Sequence, residues 1–132
     1  MRGTKPNLSP DADALGVLPP PGWMSEYAAC EWVRVMPILT ERRILTQADL
    51  ASLENFCIAI GQVREMEDIL RERGHVFEGL DGQLKRNPAV GIQADAMTRS
   101  RLLAAELGLT PVSRSRPAIR DDEDEDDLTS LD

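Results

Sequence analysis

The chain has 132 residues, a formal net charge of −8, nine prolines, two cysteines and a single histidine. This length is typical of one domain with tails, and one histidine excludes a metal site built from two histidines. No apolar run reaches the length of a signal-peptide core or the roughly 18 residues of a membrane span. We therefore expect a soluble, cytoplasmic protein without a membrane partner.

The acidic residues are concentrated near the C-terminus. Residues 121–132 contain eight of the 23 acids and no base, which leaves fifteen acids against fifteen bases in the rest of the chain. Because a block of like charges repels itself and buries nothing, residues 117–132 are predicted to be a disordered acidic tail. Residues 1–22 are rich in proline and are predicted to be an extended or disordered arm. A helical domain is expected over residues 23–116.

The first helix is predicted to follow Ser25, a favourable N-cap, and to run from Tyr27 to Met36. Pro37 removes one i→i−4 hydrogen bond. We expect a kinked helix that nevertheless continues to about Glu41. The apolar side chains near one face of this helix are Ala28, Trp32, Val35 and Leu39.

A long second helix is predicted to follow. Thr46 and Asp49 have the spacing of a capping box, with Asp in place of the usual Glu or Gln. Apolar residues keep helical spacing up to Arg73, and Gly74 ends the helix. A helix of this length with an apolar stripe needs partners, either from this chain or from a neighbouring subunit. The stripe consists of Leu50, Leu53, Cys57, Ile60, Val63 and Leu70.

A turn pair, Asp81-Gly82, lies between two short extended runs and predicts a β-hairpin or an extended loop. An isolated two-stranded hairpin is only marginally stable in water. We therefore expect this segment to pack on the helices or on a second subunit.

The third helix is predicted to begin after Asn87, with Pro88 at the first helical position, and to end at Gly108. Its apolar residues fall near two faces. One face has Val90, Ala94, Met97 and Ala104, and the other has Ile92, Ala96, Leu103 and Leu107.

The fold class that follows is mainly α. Three helices, including one long central helix, are expected to have a short β-hairpin or extended loop between the second and the third. A core this small buries a modest fraction of its surface, and self-association is a usual remedy. We therefore expect an oligomer.

No enzyme signature is present in the sequence, which has no phosphate-binding loop, dinucleotide-binding glycine motif, nucleophile elbow or zinc spacing. Cys30 and Cys57 lie in apolar helical surroundings, so two buried free thiols are favoured over a disulfide. His75, at a predicted helix end, fits a capping or packing role better than catalysis. Glu67 and Arg71 indicate a solvated helix face, and a hydrolase using Glu67 and His75 is the remaining enzymatic hypothesis. We expect no enzyme activity, no cofactor and no metal ion.

Basic residues are frequent in the second half of the domain. Residues 85–120 contain seven bases against two acids, Asp95 and Glu106. Such an excess can bind phosphates, whose neutralisation releases counterions and makes binding depend on salt. A basic flexible arm without a ligand is the alternative. The seven bases are Lys85, Arg86, Arg99, Arg101, Arg114, Arg116 and Arg120.

A second, weaker basic cluster consists of Arg34, Arg42 and Arg43, around the first interhelical loop. A short helix–loop–helix at this place is also found in helix-turn-helix readers of DNA. The second helix is too long and too acidic for a recognition helix, so this interpretation is not favoured.

The acidic tail has three interpretations: it solubilises the protein, it shields the nearby arginines in competition with DNA, or it docks a basic partner. Two leucines three residues apart near its end have the spacing of one turn of a partner-binding helix. The candidate partner-binding residues are Asp122, Glu123, Asp124, Glu125, Asp126, Leu128 and Leu131.

Six motifs occur in an order and spacing that is similar to a known phage family, over about residues 23–116. They are Trp32 followed by Pro37-Ile38-Leu39, then Ile44-Leu45-Thr46-x-x-Asp49, Phe56-Cys57, Gly74, Lys85-Arg86-Asn87-Pro88 and Leu107-Gly108-Leu109-Thr110-Pro111-x-Ser113-Arg114. With these motifs the chain resembles phage terminase small subunits of the short helical family that closes with Gly-Leu-Thr-Pro-x-Ser-Arg. The acidic tail has no counterpart in that pattern.

The resemblance implies a non-enzymatic DNA-packaging factor in the host cell cytoplasm. Such subunits form rings, bind double-stranded viral DNA, and deliver it to the large terminase subunit, which holds the ATPase and the nuclease. The alternative is an adaptor that does not bind DNA and acts through its acidic tail on a basic protein. On the first hypothesis, the phosphate-contacting residues are Lys85, Arg86, Arg99, Arg101, Arg114 and Arg116.

Overall fold

A computed structural model describes residues 14–43 and 45–111 of the chain. It confirms the mainly helical architecture, with three helices and a two-stranded antiparallel hairpin between the second and the third. The elements in chain order are α1 (Glu26–Arg42), a 3-10 turn (Gln47–Asp49), α2 (Leu50–Arg73), β1 (Val76–Glu78), β2 (Leu84–Arg86) and α3 (Pro88–Glu106).

Helix α1 begins at the predicted cap and continues through its proline. The Ser25 hydroxyl oxygen accepts a hydrogen bond from the Ala28 N–H at 3.3 Å. Pro37 lacks the N–H that would bond the Val33 carbonyl, but both residues are exposed, so water can satisfy that carbonyl. The helix therefore reaches Arg42, as expected, and ends where Arg43 takes a left-handed conformation with φ of 57°.

The start of α2 differs in one respect from the prediction. The Asp49 carboxylate accepts hydrogen bonds from the Thr46 N–H at 2.9 Å and the Thr46 hydroxyl at 3.0 Å. The Asp49 N–H in turn donates to the Thr46 carbonyl at 3.0 Å, which closes a 3-10 turn, so the α-helix itself begins only at Leu50; such turns are frequent at helix N-termini. The predicted end is confirmed, because Gly74 follows Arg73 with φ of 85°.

The core lies between α1 and α2 and is closed by residues from outside both helices. Trp32 is buried and donates its indole N–H to the Leu18 carbonyl at 2.8 Å, and the Leu15 N–H donates to the Leu45 carbonyl at 2.8 Å. Residues 14–21 are therefore tied to the core without forming a helix or strand. The buried apolar cluster is Met24, Ala28, Trp32, Val35, Met36, Leu39, Leu45, Leu53, Phe56, Cys57 and Leu107.

Helix α3 packs chiefly along α2, through a narrow stripe of small side chains. Its buried residues are Ala89, Ala96 and Ser100. With Gln93, Leu103 and Leu107 these residues recur every four and three positions, the spacing of a helix with one helical neighbour. Helix α2 covers only this stripe, so part of the apolar surface predicted on the two faces of α3 is exposed in the single chain. The exposed members are Ile92, Ala94 and Met97.

The predicted hairpin is present, but the single chain does not bury it. Val76 pairs with Arg86, Phe77 with Lys85, and Glu78 with Leu84, and all six residues are exposed. The first part of the packing expectation, that the hairpin packs on the helices, is therefore not met. None of the helices within residues 14–43 and 45–111 has the length and apolar character needed to cross a membrane.

Candidate nucleic-acid interface

Four of the six predicted phosphate-contacting residues lie in the described part of the chain. Lys85, Arg86, Arg99 and Arg101 are all exposed. Arg114 and Arg116 lie outside the described residues, as do all of the candidate partner-binding residues of the tail.

Lys85 and Arg86 are neighbours on β2 and therefore point to opposite faces of the hairpin. An Arg86 guanidinium nitrogen lies 3.5 Å from the place where a Gly91 Cβ would be, so this side chain lies over the first turn of α3. The Asn87 cap already accepts the first N–H groups of that helix: Ala89 N–H bonds its side chain at 2.9 Å, and Val90 N–H bonds its carbonyl at 3.0 Å. An anion at the start of α3 would therefore be attracted mainly by the charge of Arg86.

Arg99 and Arg101 do not form one patch. Residues two apart on a helix point in nearly opposite directions. Arg99 donates to the Gln62 side-chain oxygen at 2.7 Å and thereby lies toward α2. Arg101 consequently faces away from it, so a DNA backbone that contacts one of these arginines is not in line with the other.

Arg73 is an exposed cation outside the six predicted phosphate contacts. It is exposed at the end of α2 and lines, with Phe77, Asn87 and Pro88, a cavity of about 380 Å³ at the base of the hairpin. Its position follows from the chain path, because the hairpin turns back beside the end of α2. No local motif of the sequence predicts that path, and the sequence shows Arg73 only as an arginine before a helix-ending glycine.

The weaker cluster has mostly structural roles. Arg34 donates to the buried Glu31 carboxylate through Nε at 2.8 Å and Nη2 at 2.6 Å. Arg42 donates to the Gly108 carbonyl and so joins the end of α1 to the end of α3. Only Arg43 of the three has no side-chain hydrogen bond within residues 14–43 and 45–111, which agrees with setting the helix-turn-helix interpretation aside.

The two cysteines differ in environment, and the expectation that both are buried is wrong for one of them. Cys57 is buried, and this burial raises the pKa of its thiol to about 12, with a smaller contribution from the nearby Glu31 carboxylate. Cys30 is exposed, because it lies on the side of α1 away from α2. Both are free thiols. Among the described residues no group of three His, Cys, Asp or Glu side chains is placed to hold a metal ion.

Comparison with known proteins identifies one family. A family model described as "Phage terminase, small subunit" matches residues 28–124, well over half of the chain. The match includes nearly all of α1, the whole of α2, the hairpin and α3. Searches of the curated proteins and of the solved structures found no match.

Proposed function

The chain belongs to the phage terminase small-subunit family, and from that premise we propose that it binds viral double-stranded DNA as a ring oligomer. In this role it recruits or regulates the large terminase subunit, which holds the ATPase and the nuclease. The family membership itself assigns a part in phage DNA packaging. It also agrees with a regulatory rather than catalytic subunit.

The observation that most supports DNA binding is a set of exposed cations that form no ion pair within the described residues. Lys85, Arg86 and Arg101 are exposed, and none of them forms an ion pair with an acid in the described ranges. A cation already paired with a carboxylate would have to give up that partner before binding phosphate. These three need not, so each phosphate contact releases counterions without breaking a protein contact.

One copy of the chain presents few such cations, and they point in different directions. A ring repeats them in every subunit, and linked contacts add up because the second and later contacts form at high effective concentration. We infer contact with the phosphate backbone rather than with base edges, since backbone contacts position a protein on DNA and base contacts specify a sequence.

Exposed apolar side chains support the oligomer. Val76 is 58% exposed and Leu84 is 76% exposed on one face of the hairpin, and Leu80 is fully exposed in its turn. Ile92, Met97 and Leu102 add further exposed apolar surface on α3. A two-stranded hairpin with no cover is marginal in water, so we propose that a neighbouring subunit covers these side chains.

The test combines the salt dependence of DNA binding with substitution of the arginines beyond α3. Removing one cation that binds a phosphate should lower the slope of log K against log salt by about 0.9. For Arg114→Ala with Arg116→Ala we therefore expect a slope lower by roughly two and weaker binding to duplexes of any sequence. An unchanged slope would refute the assignment of these two residues.

The second hypothesis is an adaptor that does not bind DNA and acts through the acidic tail on a basic protein. Eight acids without a base in residues 121–132 favour it. Deleting residues 121–132 separates the hypotheses. The adaptor loses its partner, whereas the DNA-binding subunit binds DNA as tightly as before or more tightly, because a source of negative charge is gone.

A further inference from the structure

A cleft at the base of the hairpin combines an apolar floor with a cation. The end of α2, strand β1 and the start of α3 enclose the cavity of about 380 Å³ lined by Arg73, Phe77, Asn87 and Pro88. The Phe77 side chain is 44% exposed and, with Pro88, provides the apolar surface. A partly exposed ring beside a proline is a favourable surface for an aliphatic side chain.

A second cation lies on the same side of the hairpin. Lys85 is paired directly with Phe77, so both side chains project from one face. The Lys85 stem runs toward the hairpin turn, where its Cε and Cδ lie 2.9 Å and 3.2 Å from the place where a Gly79 Cβ would be. Arg73, unlike Lys85, is one of the residues that line the cavity with Phe77. The Phe77 ring therefore has one exposed cation in its cavity and a second, Lys85, as its cross-strand neighbour.

One acid of the hairpin lies on the same side as the Lys85 stem: the Asp81 Oδ1 is 3.0 Å, and the Lys85 Cε 2.9 Å, from the place where a Gly79 Cβ would be. Glu78 pairs with Leu84 and projects from the other face. Asp81 accepts the Gln83 N–H at 3.1 Å within the turn. Neither Arg73 nor Lys85 forms an ion pair with another described residue.

This arrangement fits a short peptide that has carboxylates next to aliphatic side chains. An aliphatic side chain would fill the apolar cavity, and the flanking carboxylates would meet the two cations. The chain contains such a segment in residues 126–132, where Leu128 and Leu131 stand among three aspartates. A DNA backbone would neutralise the cations but would leave the apolar floor without a complementary group.

The segment has the length to reach the cleft. Helix α3 has 19 residues and rises about 1.5 Å per residue, so its end is roughly 28 Å from its start beside the cleft. Leu128 follows Pro111 by 17 residues, and an extended chain spans up to about 3.3 Å per residue. The tail can therefore return to the cleft of its own chain or enter that of an adjacent copy.

We propose that residues 126–132 dock in this cleft, with a leucine against Phe77 and Pro88 and aspartates on Arg73 and Lys85. The contact follows from the cleft and from the chemistry of the tail. Only its consequence rests on the proposed function: the docked tail competes with DNA for Lys85 and so opposes binding until DNA or another partner displaces it.

Site-specific photo-crosslinking in the full-length chain tests the docking. In Phe77→p-benzoyl-phenylalanine the crosslinker faces the cleft, whereas in the matched Leu84→p-benzoyl-phenylalanine control it projects from the opposite face. Trypsin releases residues 121–132 as one peptide after Arg120, so mass spectrometry identifies the occupant directly. We expect the tail peptide on position 77 and not on position 84. Equal labelling at both positions, or a crosslink at position 77 to any other segment, would overturn the proposal.

Charge reversal shows whether the cations hold the tail. With Arg73→Glu and Lys85→Glu together, the yield at position 77 should fall about fivefold, the order expected from removing two partly exposed charge pairs. Arg64→Glu reverses one charge at an exposed arginine elsewhere on α2 and should leave the yield unchanged. Equal crosslink yields at position 77 in the parent, the double variant and Arg64→Glu would contradict the assigned contacts.

Duplex DNA separates this inference from the proposed function. If both hold, saturating duplex displaces the tail and lowers the crosslink yield. A tail crosslink that persists in bound complexes would confirm the docking and refute Lys85 as a shared contact. If the protein binds duplex but shows no tail crosslink even when duplex is left out, the docking alone is refuted.

Discussion

Gly61 of α2 lies directly against Ala28 of α1. A Cβ added at Gly61 would lie 3.1 Å from the Ala28 backbone nitrogen, 3.2 Å from the Ala28 Cβ and 3.3 Å from the Ser25 hydroxyl oxygen. The backbone of α1 cannot move aside as a flexible side chain can. The absence of a side chain at Gly61 therefore sets how closely the first turn of α1 approaches α2.

Gly61→Ala should destabilise the protein. Alanine favours a helix over glycine by up to about 1 kcal/mol, but overpacking at this contact costs about 1–3 kcal/mol. We expect a lower free energy of unfolding in urea at matched protein concentration. Gly91→Ala is the control, because a Cβ there meets only an Arg86 side-chain nitrogen at 3.5 Å. That variant should be as stable as the parent or more stable, and equal effects of the two substitutions would show that Gly61 is not a packing contact.

The Glu31–Arg34 pair should stabilise the fold through the burial of one partner. Glu31 is 4% exposed, and its carboxylate binds the Arg34 guanidinium through two nitrogens. Arg34→Ala leaves that carboxylate buried without its cation, at a cost of about 2 kcal/mol, below the value for a fully buried pair because Arg34 is largely exposed. Adding Glu31→Gln to Arg34→Ala should recover part of the loss in urea unfolding. A double variant less stable than Arg34→Ala would contradict this assignment.

The two thiols should react very differently. At pH 8 an alkylating reagent should modify exposed Cys30, and Cys57 only after unfolding, because burial both blocks access and raises the Cys57 pKa to about 12. Mass spectrometry of the alkylated protein checks this. Similar rates at the two thiols in the folded protein would place Cys57 at the surface.

The raised pKa of Cys57 also has a consequence for stability. Between the ordinary thiol pKa of 9.0 and about 12 the folded state retains a proton that the unfolded state has lost. The contribution of the Cys57 thiol to the free energy of unfolding is therefore fully present below pH 9.0 and declines as the pH rises toward 12. Cys57→Ala should flatten this part of the stability curve relative to the parent protein, and an identical pH dependence of the two would show that Cys57 does not cause the decline.

Lys85 on the hairpin should contribute to DNA binding through its charge alone. Lys85→Ala should weaken binding to all duplex sequences and lower the salt slope by about one unit. Arg64→Ala removes an exposed positive charge outside the predicted set and is the matched control. Fluorescence anisotropy over a range of salt concentrations measures both slopes. If Arg64→Ala and Lys85→Ala lower the slope equally, the contact is not localised at the hairpin.

The local features of this fold follow from the sequence because they depend on neighbouring residues. Asn87 caps α3, Gly74 ends α2 and Asp81-Gly82 turns the hairpin through geometry that a few adjacent residues determine. The exposure of Met97 and Cys30 depends instead on which helices lie beside them. Periodicity places a residue on a helix face but does not say whether another helix covers that face.

The candidate site shows the same division between local and distant determinants. Lys85 and Arg86 are recognisable as cations in the sequence. The place of Arg73 beside Phe77 is not, because the chain must turn into the hairpin to bring Phe77 to the end of α2. Arg99 and Arg101 are two of the six predicted phosphate contacts and are close in sequence. Helical geometry and the Gln62 hydrogen bond direct these two arginines apart.

Native mass spectrometry of the full-length chain, with and without a short duplex at low ionic strength, is the sharpest test of a DNA-binding ring. We expect a single closed multimer that takes up duplex DNA, because the uncovered hairpin needs a neighbour and the scattered cations bind strongly only when repeated. A monomer that acquires no duplex would refute both the ring and its role on DNA.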